Sequence, residues 1–218
     1  MSAAMNDSVG NRQWYIVGRW QEYDGESKAN LLRLVVIGVF YLVQLVHFHV
    51  LAGTGDRDES FHRAATALAV AGSFVALAVL LCLRSRVFPA AMKFLSTGAD
   101  LLLLTMLAAV GSGPKSPLIF AYFLIIALAA LRFSLRLVWF ATLGSLVGYL
   151  ALVGIKDGKW FDAQHVVRPV EQLMMLASLA LTGPIVGQVI RRVRALADDY
   201  LLRMAGVVKP GAEEPVHG

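Results

Sequence analysis

The chain has 218 residues, 57% of them apolar, and a mean hydropathy of +0.64. That composition excludes both an ordinary water-soluble domain and a disordered chain. The net charge of +5, which in a soluble protein would point to nucleic acid, is read here as membrane topology, with no nucleic-acid partner expected.

Residues 1–28 are polar and of mixed charge, with Trp14, Tyr15, Trp20 and Tyr23 beside Arg19, Glu22, Asp24 and Glu26. Aromatic residues among charges suit a helix lying on the inner leaflet, so this segment is expected to be cytoplasmic and interfacial. No signal peptide is visible, because the first apolar run is too long for an h-region.

Six apolar runs follow: Leu31–Leu51, Ala64–Leu83, Phe94–Val110, Pro117–Leu131, Leu137–Ile155 and Val170–Ile190. Most reach the roughly 17–25 residues that cross a bilayer core. They predict an all-α, polytopic bundle of six transmembrane helices over 29–190. The fourth run is the shortest, and it is expected to extend through Phe133 with Arg132 snorkelling to the headgroups. The connections Arg84–Pro89, Gly111–Ser116 and Arg132–Arg136 are short, so neighbouring helices should be antiparallel and adjacent. With six spans, 14 basic residues fall on the side of the termini and 6 on the other, which places both termini in the cytoplasm of an inner-membrane protein. Cys82 is the only cysteine and reads as a small apolar packing residue.

Beyond the sixth run, Ile190, Val193, Ala197, Tyr200 and Met204 recur at heptad-like spacing, with Arg191, Arg192, Arg194, Asp198 and Asp199 covering the other face. This predicts a cytoplasmic amphipathic helix over 191–206, able to pair with a partner helix. The tail 207–218 has a disordered composition.

Two charges stand out inside the apolar runs. Asp100 lies among apolar residues of the third run, and Arg132 closes the fourth. A bilayer carboxylate is tolerated when it faces the bundle interior and finds a partner. Counting along the hairpin at about 1.5 Å per residue puts the two at similar depth, so they are expected to form a structural or switch pair. His47 and His49 are spaced too closely for regular helix geometry to aim both at one ion, and no metal site is expected. Gly144 with Gly148, and Gly183 with Gly187, make small-residue faces for close packing within the bundle, and Pro184 is expected to kink the sixth helix. There is no Walker loop, no His-Glu-x-x-His helix and no Gly-x-Ser-x-Gly elbow, so no catalytic residues and no enzyme activity are expected.

The stretch Asp100, Ser112-Gly-Pro-Lys-Ser-Pro-Leu118, Tyr122, Leu131-Arg-Phe133 and Tyr149 resembles the six-span N-terminal membrane modules of bacterial histidine kinases, diguanylate cyclases and adenylate cyclases. In redox-responsive kinases of that group a Gly-Gly-x-x-Asn-Pro-Phe loop is associated with quinone sensing. The resemblance implies a quinone-loop-like site at Ser112, Gly113, Ser116 and Pro117, although Ser112, Ser116 and Leu118 stand where the family has Gly, Asn and Phe. It also implies a sensor-like or anchoring module, here without an output domain. Such a module would relay a membrane cue through its C-terminal helix to a second copy or to a separate kinase or cyclase. The alternatives from other classes are a small transporter or permease subunit, and a lipid-acting enzyme.

Overall fold

The computed structural model describes residues 25–51, 58–85, 90–156 and 168–207, and among these all regular structure is helical. Helix α1 covers Gly25–Val50, and its end, His47–Leu51, widens into a π-helical turn. α2 runs Glu59–Arg84 and α3 runs Ala90–Val110. Two 3₁₀ turns, Gly113–Lys115 and Pro117–Phe120, lead into α4, Ala121–Leu131. α5 covers Leu135–Lys156 and α6 covers Pro169–Val207, unbroken through Pro184. The segment 1–24, including the aromatic cluster, the segment 157–167 and the tail from 208 lie outside the described residues.

Local chemistry accounts for the helix boundaries. Asp58 caps α2, its carboxylate accepting the amide of Phe61 at 3.0 Å and the hydroxyl of Ser60 at 2.6 Å. Hydroxyls within the helices bond back to carbonyls one turn earlier, as Thr105 to Leu101, Thr142 to Val138, Ser145 to Ala141 and Thr182 to Ser178. In hydrocarbon this is how a hydroxyl avoids being stranded without a partner. α4 stops at Arg132, and Phe133 takes a left-handed conformation with φ of 49° to start the turn into α5.

Cross-helix contacts fix the direction of each helix. Asn30 donates to the Ala76 carbonyl, Ile37 lies over Gly72, and Tyr41 bonds Thr66, so α1 and α2 run antiparallel. Phe61 meets Gly111 where α2 and α3 lie antiparallel, and Thr105 bonds Tyr122 at 2.8 Å across α3 and α4. α5 runs parallel to α3, with Gly144 against Leu101 and Gly148 against Thr105 and Tyr122. It is antiparallel to α6, with Gly183 against Thr142 and Gly187 against Leu135. Both glycine pairs therefore serve packing within one chain: a Cβ at Gly148 would come to 2.8 Å from both Thr105 Oγ1 and Tyr122 Oη. α5 is the hub, with 44% of its most apolar stretch buried against 6% for α1.

Outward-facing side chains are apolar over whole helices, for example Leu102 (64% exposed), Val147 (66%) and Ile185 (62%). Exposed apolar surface on that scale marks a bilayer-facing wall. Five helices, α1, α2, α3, α5 and α6, are long and apolar enough to cross a membrane, which makes this a multi-pass membrane protein. The fourth apolar segment, Pro117–Leu131, is shorter. Arg132 does not extend it by snorkelling. The residue is only 7% exposed and turns inward, because buried acceptors wait for it there.

Candidate functional site

Two ends of the bundle carry the polar groups. At the end where α1 starts, Glu26, Asn30 and Arg33 share one face of α1. Glu26 and Arg33 are about two helical turns apart along that face. All three are buried, and each finds a partner on another helix or on a neighbour of the face.

Arg33 meets Asp100. Its Nη2 lies 2.7 Å and its Nε 3.0 Å from the same carboxylate oxygen, Oδ2, while Nη1 donates to Asn30 at 3.1 Å. The two side chains are 4% and 13% exposed. Asp100 Oδ1 accepts no hydrogen bond among the described residues. Arg132 meets Glu26 instead, Nε to Oε1 at 2.9 Å, with side chains 3% and 1% exposed. That approach is an ion pair too bent to be a hydrogen bond, so Arg132 draws its directional contacts from α3: the Lys93 carbonyl at 3.0 Å, Thr97 at 2.9 Å and Ser96 at 3.2 Å.

The expected pairing of Asp100 with Arg132 is therefore replaced by two pairs, both closed by α1. The reason is depth. Arg132 sits level with Lys93–Thr97 on α3, and Asp100 lies three to seven residues further along the helix. α1 runs parallel to α3, so it presents Glu26 at the first level and Arg33 at the second. Sequence reasoning missed both partners. Glu26 lies in the segment 1–28 that composition marks as interfacial, although helix α1 already contains it, and Arg33 is one of the 14 basic residues on the side of the termini. A readable signal existed, since Glu26, Asn30 and Arg33 recur at helical spacing on one face.

Asp100 and Arg33 also form the floor of a cavity of about 890 Å³ between α1, α2, α3 and α4. Its walls are apolar, with Ile37, Leu68, Leu103, Leu107 and Leu124 among them. Its rim, at the far end of the bundle, holds Gln44, His47, Asp58, Ser112 and Ser116. Of the quinone-loop-like residues, Ser112, Ser116 and Pro117 reach this cavity. Gly113 is buried with φ of 65°, a left-handed conformation that glycine adopts without strain. Ser116 caps the next turn, its oxygen accepting the Leu118 amide at 3.2 Å. Ser116 and Pro117 also face a second cavity of about 440 Å³ with Tyr149 and Glu171, so the loop separates two spaces.

His49 and His62 at this end join Phe48 in an aromatic cluster. Phe48 stacks on His62 at 4.0 Å, and His49 meets the edges of both rings. Among the described residues no three His, Cys, Asp or Glu side chains are placed to share a metal ion.

The proposed partner-helix seam divides in two. Ile190 is 4% exposed and belongs to the bundle core, so it is unavailable to a partner. Beyond it α6 turns outward: Val193 (44%), Ala197 and Tyr200 (63%) are exposed, as is Leu196 (69%). The side chain of Met204 lies outside the described residues. Arg194 reaches back and donates to the Phe133 carbonyl, tying the start of this segment to the α4–α5 turn. The chain matches no protein-family model, no curated protein and no solved structure.

Proposed function

We propose that this chain is a six-crossing inner-membrane protein with cytoplasmic termini. In this reading it acts as a sensor-like or anchoring module whose C-terminal helix engages another protein surface. The observation that carries the reading is the continuity of α6. One helix packs into the bundle at Leu179, holds Ile190 in the core, and runs on to Val207 with Val193, Leu196 and Tyr200 uncovered. A rigid helix anchored at one end transmits displacement to the other, and an apolar stripe in water is stabilised by burial against a partner. The fourteen-to-six bias of basic residues supports the orientation, and the resemblance to sensor modules supports the class. The partner is a second copy or a separate kinase or cyclase.

Single cysteines at Val193 or Tyr200, in a Cys82→Ala background and native membranes, test this. A self-crosslinked band identifies a homodimer, and a heavier mixed band identifies an output protein. Labelling of both positions by lipid-proximity probes with neither band would refute the relay and leave membrane anchoring.

A small transporter or permease subunit is the second reading, and it rests on the charge pair Arg33–Asp100 inside the bundle. The apolar cavity walls weigh against it, because a transport path needs polar groups along its length.

A further inference from the structure

The cavity has a size, a polarity pattern and a carboxylate oxygen that accepts nothing from the described residues, and together these define a ligand. Its volume of about 890 Å³ lies within the roughly 300–1,000 Å³ typical of small-molecule sites. Lining residues on α3 run from Asp100 to Val110, which at about 1.5 Å per residue gives a length of ~15 Å. The walls between are apolar, so a hydrated ion or a charged metabolite would be stripped of water without compensation. The floor carries a carboxylate, but Arg33 neutralises it at 2.7 Å. An uncharged ligand therefore fits better than a cation.

The floor also favours a hydrogen-bond donor. Arg33 is turned away: Nε and Nη2 point to Asp100 Oδ2, Nη1 donates to Asn30, and the side chain is 4% exposed. Asp100 is the more open of the two at 13%, and its Oδ1 accepts nothing from the described residues. A carboxylate oxygen lacking a donor in an apolar site is costly, and a hydroxyl placed there removes that cost. A ligand offering only ether, ester or ketone oxygens does not.

We propose that this cavity binds an uncharged, rod-shaped lipophile bearing a hydroxyl, a long-chain alcohol in chemical class, whose hydroxyl donates to Asp100 Oδ1. The assignment names the membrane cue of the sensing reading and rests on that reading for the ligand's role as a signal. Binding and signalling are measured separately.

The test uses the full chain in phosphatidylcholine nanodiscs and a diazirine-bearing hexadecanol as probe. Photolabelling should map to cavity residues such as Leu103, Leu107 and Leu124. Unlabelled 1-hexadecanol should compete about tenfold better than its methyl ether, which has the same chain and no donor. Asp100→Asn keeps an acceptor for Arg33 and offers an N–H₂ in place of Oδ1, so the preference for alcohol over ether should collapse. Ala69→Phe narrows the cavity from α2 without touching the charges and should abolish the labelling. It also serves where Asp100→Asn does not fold. Equal competition by the alcohol, the ether and hexadecane would mean that ordinary acyl chains fill the space, and the proposal would fall. It would fall equally if labelling mapped outside the cavity. Specific labelling with no effect of hexadecanol on crosslinking at Val193 would uphold the binding site and refute the signalling reading alone.

Discussion

Replacing Arg132 by Met should be among the most damaging single substitutions in the chain, and the contacts say how large the loss is. The guanidinium is buried and faces Glu26, which is 1% exposed. Removing it strands a carboxylate in the protein interior, a change that costs about 3–5 kcal/mol. The other groups that Arg132 touches lose less. Ser96 and Thr97 keep their own bonds to the Lys93 carbonyl, at 3.1 and 2.9 Å, so neither hydroxyl nor that carbonyl is orphaned. The loss is thus mainly the stranded charge, against a total stability of typically about 5–15 kcal/mol. Glu26→Leu combined with Arg132→Met removes both charges and should recover most of it, since apolar replacement of a buried pair is often neutral or stabilising by about 1–4 kcal/mol.

The same cycle should hold for Asp100→Leu with Arg33→Met. Coupling energies of residues in contact run about 0.5–3 kcal/mol, whereas distant sites add within about 0.3–0.5. The readout is the unfolding free energy of purified protein by steric trapping, run on three cycles: Glu26 with Arg132, Arg33 with Asp100, and Asp100 with Arg132. The first two should show strong coupling and the third a weaker one. An Asp100–Arg132 coupling equal to that of Asp100–Arg33 would refute the two-pair arrangement, and so would additive losses within either pair.

Gly148→Leu should cost about 1–3 kcal/mol by forcing α5 away from Thr105 and Tyr122, while Gly38→Leu, with open space around its Cβ, should be tolerated; folded yield after gel filtration separates them. Reporter fusions at Gly53, Gly113 and Gly158 should read as outside and one at Gly206 as inside; an outside reading at Gly206 would end the six-crossing topology. Ser60 and the Phe61 amide hold the Asp58 carboxyl below its ordinary value. A folded-state pKa that is lowered contributes stability above the unfolded value and loses it as pH falls through the folded one. Hydrogen exchange at the start of α2 should therefore quicken on acidification, and Asp58→Asn, which caps without titrating, should flatten that response.

Helix positions were legible because apolar run length is nearly sufficient to specify a helix in a bilayer. The five long helices and the antiparallel order of neighbours followed from runs and loop lengths alone. The fourth segment was less legible, since Pro117 and the Gly113 turn divert the chain into 3₁₀ geometry before α4 begins. The charge network was half legible. Asp100 and Arg132 stood out because both interrupt apolar sequence, but pairing depends on which helices adjoin, and nothing in the α3–α4 hairpin reveals that α1 packs beside it. Ile190 fitted the heptad seam by spacing. Only its contact with the bundle shows that the core claims it, and the spacing of Val193, Ala197 and Tyr200 does not separate the two roles.

The contrast between α1 and α5 explains why the charges lie where they do. Lipid tails are as apolar as leucine, so helices in a bilayer gain little from burying apolar surface against one another. α5 is held by close packing at Gly144 and Gly148, with neighbours on several sides. α1 lies at the edge with 6% of its most apolar stretch buried, and needs directional contacts: Asn30 to the Ala76 carbonyl, Tyr41 to Thr66, and the two ion pairs. Lifting α1 away would expose four charges to hydrocarbon at once, so partial detachment is costlier than either pair alone suggests. Asp100 seats α1 through Oδ2 and borders the cavity that α1 helps to enclose through Ile37 and Phe40. A molecule bonded to Oδ1 therefore touches the residue on which the seating of α1 depends. Occupancy of the cavity and attachment of α1 are linked through a single carboxylate.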